Sequence, residues 1–169
     1  MSLLPVAVHR VAAHVFRNAR GRWQWRALWL AHDKFIVGIS GIVTDPDGRI
    51  LLLRPRYWSA AAWGLPGGFL KSGETPALAL IREVREETGL TVTGVREVGS
   101  SWGFRLRAEV QVVGSLDSHV DVSTLTLSAG EIEEARFCRP DALPDGLLAE
   151  HRARIAAWAD DAGHPDDPV

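Results

Sequence analysis

The chain has 169 residues, is 46% hydrophobic and carries a formal charge of −2, which fits one folded domain with a real core and gives no bulk attraction to nucleic acid. Its single cysteine, Cys138, excludes an intrachain disulfide and reads as a small buried hydrophobe in a strand. No apolar run is long enough to span a bilayer, and arginines and histidines interrupt the apolar residues at the N-terminus, so a cytoplasmic protein is expected.

Residues 5–32 read as helical and amphipathic, with Gly21 splitting the stretch in two. Residues 1–34 hold six Arg or Lys against one Asp. Trp23, Trp25 and Trp29 stand among Arg20, Arg22 and Arg26. A membrane-surface helix or a base-stacking arm would use such a mixture. The plainer reading is a helical extension that packs on the domain or on a partner subunit.

Phe35–Thr44 reads as a strand, Asp45-Pro46-Asp47-Gly48 as a turn and Arg49–Arg54 as the returning strand. Arg54, Arg56, Tyr57 and Trp58 follow. The two arginines can pair with a substrate phosphate and the aromatic rings can stack on a base; a surface loop with one packed ring is the equal alternative. Trp63-Gly64-Leu65-Pro66-Gly67-Gly68 then reads as a glycine-rich turn whose backbone can approach another group closely.

Thr75–Thr88 reads as a helix. Glu74 or Thr75 caps it, Pro76 suits its first turn and Gly89 its stop. At about 100° per residue, Ala77, Leu80, Ile81, Val84 and Thr88 share one side, while Glu83, Glu86 and Glu87 share the other. Like charges at this spacing cost about 0.2–0.5 kcal/mol per pair. Arg82 and Arg85 offset part of that, so a solvated acidic face is the ordinary reading for the helix alone. The Gly67-Gly68 turn ahead of it favours a cation instead, because hard ions such as Mg²⁺ take carboxylate, carbonyl and phosphate oxygens together.

After the helix, Val92–Ser100 and Arg105–Val113 read as strands, with Trp102-Gly103 near their turn. Val122–Leu127 reads as a short strand, Glu134–Cys138 as another and Leu147–Ala159 as a closing helix. The acidic, Asp- and Pro-containing tail reads as frayed. The expected organisation is an N-terminal helical extension over residues 1–34, a domain over 35–162 and a flexible tail over 163–169. Strands, a central helix, more strands and a last helix imply an α/β fold with a mixed sheet and helices on both sides.

The residues from Gly68 to Leu90 run Gly68, five residues, Glu74, seven residues, Arg82-Glu83-Val84, one residue, Glu86-Glu87, one residue, Gly89-Leu90. This segment resembles the Nudix box, G-x5-E-x7-R-E-U-x-E-E-x-G-U with U a bulky aliphatic, at every fixed position. The resemblance implies an α/β/α sandwich and a Mg²⁺-dependent pyrophosphohydrolase, with Mn²⁺ as a substitute. Glu83 and Glu87 then match the principal metal ligands. Glu86 matches a position that ligates or orients water, and Arg82 the arginine that holds a box glutamate. Glu74 matches a supporting acid, and the Gly67-Gly68 turn, through Gly68, a backbone carbonyl ligand. The base is a box glutamate or one of Glu131, Glu133 and Glu134.

The implied substrate is a small-molecule nucleoside diphosphate linked to another group: a nucleotide sugar, an ADP-ribose-like compound or a nucleoside triphosphate. Arg54, Arg56 and Trp58 are the candidate substrate contacts. The alternative is a non-catalytic nucleotide sensor on the same fold, which the intact box disfavours. An isomerase on this fold needs a pocket cysteine, which the strand context of Cys138 does not offer. No proline lies between Pro76 and Pro140, and Tyr57 is the only tyrosine. Markers of ADP-ribose and dinucleoside polyphosphate hydrolases outside the box are therefore missing, as are those of coenzyme A and NADH pyrophosphatases. A homodimer is expected, and no stable nucleic-acid partner.

Overall fold

A computed structural model describes residue 14 and residues 21–59, 61–102 and 106–162. The chain divides into two compact units, Met1–Phe35 and Ile36–Val169. In the first, helix α1 spans Arg22–Ala31 and follows Gly21, whose φ of 88° breaks the chain there. Within this unit the Arg26 guanidinium lies 5.5 Å from the Trp23 ring centre and the Lys34 ammonium 4.6 Å from that of Trp29. The rest of the sequence-predicted 5–32 helix, and the tail from residue 163, lie outside the described residues.

The second unit is built on a mixed sheet. Its strands are β1 (Ile36–Thr44), β2 (Ile50–Pro55), β3 (Gly67–Phe69), β4 (Thr93–Trp102), β5 (Arg107–Ser115) and β6 (Ile132–Cys138). The order is β4-β5-β1-β2-β6, with β3 also paired to β1. β1 runs parallel to β5 along its whole length and antiparallel to its other neighbours. On its second edge β1 meets β3 at Gly38–Ser40 and β2 only at Thr44. The sheet is thus split at the point where β3 inserts.

Side-chain alternation sends β1 into two cores. Ile39 and Val43 join Leu51, Leu53, Leu80, Val84 and Ala135 on the face covered by helix α2 (Pro76–Thr88). Ile42 joins Ile50, Leu52, Trp63, Leu147 and Ile155 on the face covered by helix α3 (Ala149–Ala162). Gly41 lets α2 settle on the sheet, since a β-carbon there would overlap the Leu80 side chain. α2 begins under a Thr75 cap that accepts the Leu78 N–H at 3.3 Å and ends at Gly89 in the left-handed conformation, φ 78°.

Three sequence expectations change. The Gly67-Gly68 turn is a short strand, because its backbone pairs with β1. Val122–Leu127 is not a strand: Val122–Thr124 forms a 3-10 turn, since Asp121 accepts the Ser123 N–H at 2.9 Å and its carbonyl accepts the Thr124 hydroxyl at 2.7 Å. The box acids do not share one solvated face. Glu87 is buried with Leu80, Val84 and Thr88, because β3 and the segment before β6 cover that side of α2.

Candidate functional site

β3 and α2 bring together Gly67, Gly68, Glu83 and Glu87. Gly68 lies so close to Glu83 that a β-carbon would fall on the Glu83 carboxylate. Glu87 is 7% exposed. One side of its carboxylate takes a backbone hydrogen bond from Gly67, while Oε2 is buried without a partner. Burial first, then the charge of Glu83, pushes the Glu87 carboxyl up to about 8; Glu131 and Glu86 add to this. A buried carboxylate with an unmatched oxygen beside a second carboxylate is a group that a divalent cation would satisfy. These residues therefore fit the implied metal through Glu83 and Glu87, with the Gly67-Gly68 strand against them; the Gly68 carbonyl itself faces β1 near Gly38.

Arg82 organises the near end of this site. It forms a paired contact with Glu74, Nε–Oε1 at 2.8 Å and Nη2–Oε2 at 2.9 Å, and donates to the Phe69 carbonyl at 3.1 Å. Its Nη1 lies 2.7 Å from Glu83 and 3.3 Å from Glu86. The side-chain hydrogen bond from Arg82 holds the Glu74 carboxyl down at about 2. Arg82 thereby ties the loop after β3 to α2. Glu86 is half exposed and also faces Lys71 at 3.6 Å, so Glu83, Glu86 and Glu87 do not converge on one point.

Among the described residues, the acids and histidine that do converge are Asp45, Asp47 and His119. Asp45 is already committed there: it accepts the Asp47 and Arg49 N–H groups at 3.0 and 2.9 Å and binds the Arg49 guanidinium. That cluster is the frame of the β1–β2 turn.

The three later acids separate. Glu133 and Glu134 lie 3.4 and 2.9 Å from Arg54 across the β2–β6 pair, which also ties down Arg54. Glu131 instead acts on Glu87 through its charge. Its segment is fixed to the end of α2, where Thr126 and Ser128 donate to the Thr88 and Glu87 carbonyls at 3.2 and 3.0 Å. The exposed Arg56 donates its backbone N–H to the Glu131 carbonyl at 2.8 Å.

Beside β3 lies a cleft of about 470 Å³. Tyr57, Trp58, Phe69, Gly67 and Gly68 line it, as do Ser40, Arg107, Glu109 and His151. Glu83 and Glu87 are not in its lining; β3 is shared between cleft and carboxylates. Partial burial, then the charges of Glu87, Glu131 and Glu83, raise the Tyr57 phenol, which places it in the field of the acidic site.

Sequence reasoning missed Ser40, Arg107, Glu109, His151 and Arg154. Ser40 donates to Glu109 Oε1 at 2.6 Å, and Arg154 reaches the same oxygen at 3.1 Å and also contacts Ser40. The available signal was the run Arg107, Glu109, Gln111, polar residues on one side of an otherwise apolar strand. His151 Nδ1 accepts the Leu65 N–H at 3.0 Å, so its proton sits on Nε2. Burial, then Arg154, lowers its pKa.

The model for the NUDIX domain matches residues 34–159. The NAD-capped RNA hydrolase NudC of Mycobacterium tuberculosis is 34% identical over 139 residues, which is 79% of this chain and 43% of that protein. The chain thus spans under half the length of this relative. A MutT-like protein of Streptomyces ambofaciens is 45% identical over 127 residues, 75% of this chain and 79% of the relative. The crystal structure of a MutT protein from Methanosarcina mazei aligns with a TM-score of 0.62 at 23% identity, covering 78% of this chain and 97% of that one. That likeness supports the fold.

Proposed function

This chain belongs to the NUDIX family, and from that premise we propose that it is a Mg²⁺-dependent pyrophosphohydrolase acting on a nucleoside diphosphate linked to another group. The observation that carries the reading is Glu87: buried, raised to about 8, with Oε2 unpartnered next to Glu83 and under the Gly67-Gly68 strand. Glu83 and Glu87, beside the Gly67-Gly68 strand, would hold the ion, and Glu86 would join by swinging from Arg82 and Lys71. A divalent ion bound there neutralises phosphate charge and lowers the pKa of a bound water.

The protein's own residues do the rest. Arg82 fixes Glu83 and the β3 loop. Glu131, the later acid whose charge reaches Glu87, is the best-placed proton acceptor outside the box. Trp58 and Tyr57 at the cleft suit a flat base. Arg56, exposed at the same loop, is free to approach a phosphate more readily than Arg54, which Glu133 and Glu134 hold. Because one relative acts on NAD-capped RNA, dinucleotide ends belong among the test compounds with nucleotide sugars, ADP-ribose and nucleoside triphosphates.

The test is a phosphate-release panel with Mg²⁺, run on wild type and Glu87→Gln. We expect turnover of one compound class and its loss, by about a hundredfold or more, in the folded variant. A thermal-unfolding titration with Mg²⁺ or Mn²⁺ gives a second readout, with stabilisation in wild type and little in Glu87→Gln. Unchanged turnover in the variant sinks the assignment. Nucleotide binding without turnover across the panel moves the protein to the sensor reading.

A further inference from the structure

The cleft wall carries a charge network that the box chemistry does not use. We propose that Arg107 is a substrate-binding residue that takes a phosphate oxygen of the nucleotide on the cleft side of β3, and that Glu109 is the residue that positions it. This rests on the reading above, in which the substrate carries a diphosphate.

Arg107 is the only Arg or Lys among the described residues lining the cleft. Its side chain is 50% exposed, and one of its five N–H donors goes to Glu109 Oε2 at 3.1 Å. The guanidinium lies 5.8 Å from the Phe69 ring centre, and among the described residues Glu109 is its hydrogen-bond partner.

The backbone places the arginine on the cleft face of the sheet, on the side of Gly38 and Ser40. Arg107 pairs with Ile36 across β1 and β5, yet its side chain crosses over Gly38. A β-carbon at residue 38 would lie 3.3 Å from Arg107 Nη2 and 3.6 Å from the Gly68 carbonyl oxygen. The guanidinium and the Gly68 carbonyl therefore lie near one point on the cleft face, across β3 from Glu83. An anion held by Arg107 would sit on the cleft side of β3, with the aromatic residues Tyr57 and Trp58 further along the cleft. Leu106, immediately before it, has a φ of 59°, an uncommon conformation for a leucine, and its carbonyl accepts the Ile36 N–H at 2.9 Å.

Glu109 is held from the other side. Ser40 and Arg154 both bind its Oε1. Burial alone would raise its carboxyl, but the Ser40 hydrogen bond and Arg154 more than offset this and keep it lowered. A charged, anchored Glu109 fixes the angle of Arg107. Two guanidinium groups against one carboxylate leave the network with a positive excess. The His151 Nε2–H lies on the same wall, 3.9 Å from Glu150, the other acid of the lining, which is largely exposed.

The probe is ADP, titrated calorimetrically into the full chain in EDTA, so that binding is read without metal or turnover. Arg107→Ala should weaken ADP by about tenfold or more, the value of a charge-assisted hydrogen bond. Arg107→Lys should recover part of the loss and Glu109→Gln should show a smaller one. Combining Glu109→Gln with Arg107→Ala should add nothing to Arg107→Ala alone, which a general structural defect would not reproduce. Circular dichroism confirms that each variant is folded. Equal ADP affinity in wild type and Arg107→Ala, or no ADP binding to wild type at millimolar concentration, overturns the assignment of Arg107. Additive losses in the double variant overturn the positioning role of Glu109. If ADP binding behaves as expected while no compound turns over with Mg²⁺, this site stands and the hydrolase reading falls.

Discussion

At the residue scale, Glu87 makes the sharpest demands. Its carboxyl stands at about 8 in the folded protein against an ordinary value of 4.5, so folding favours its proton. The stabilising contribution is then fully present below pH 4.5 and is lost as pH rises toward 8. Metal-free protein should lose stability over that window, by up to a few kcal/mol, and Glu87→Gln should flatten the profile. Mg²⁺ should restore stability at pH 8 in wild type alone, as read by chemical denaturation. A flat wild-type profile would mean that Glu87 ionises freely and is not enclosed. Gly68 makes a separate demand. Gly68→Ala places a methyl group on the Glu83 carboxylate, so metal affinity should fall by about tenfold or more if Glu83 is a ligand. Unaltered Mg²⁺ stabilisation of that variant would remove Gly68 and Glu83 from the metal site.

At the scale of elements, α2 carries most of what the sequence made legible. Its start at the Thr75 cap, its stop at Gly89 and its apolar residues Leu80 and Val84 follow from capping chemistry and helical period. The burial of Glu87 does not, because it depends on β3 and on the segment before β6, which arrive from elsewhere in the chain. The same limit hid β3: three residues of glycine and phenylalanine have no strand period, and only pairing with β1 makes them a strand. The cleft wall was hidden too, since Ser40, Glu109 and Arg154 meet from three separate elements. The seat of α2 on β1 is testable at Gly41, which faces Leu80. Gly41→Ala should destabilise by about 1–3 kcal/mol through overpacking, and should disturb the carboxylates because α2 carries them. A variant with wild-type stability would show that Leu80 moves aside without shifting the helix.

At the scale of the whole molecule, the two units have different roles to account for. Every residue placed in the carboxylate site or the cleft falls within Ile36–Val169. The segment before it holds six of the 19 Arg and Lys residues with a single acid, and its tryptophans Trp23 and Trp29 stack with cations of the same segment. Charge and aromatic content of this kind suit docking, on the domain or on a second copy, more than chemistry. Removing residues 1–34 should therefore leave Mg²⁺-dependent turnover intact while lowering the unfolding temperature or converting a dimer to a monomer. Steady-state kinetics, thermal unfolding and light scattering on the shortened chain measure these separately. An unchanged mass and unfolding temperature would end the docking argument. Loss of turnover in a folded, shortened chain would mean that the N-terminal unit supplies part of the site, and the Trp and Arg residues of α1 would be the first to substitute.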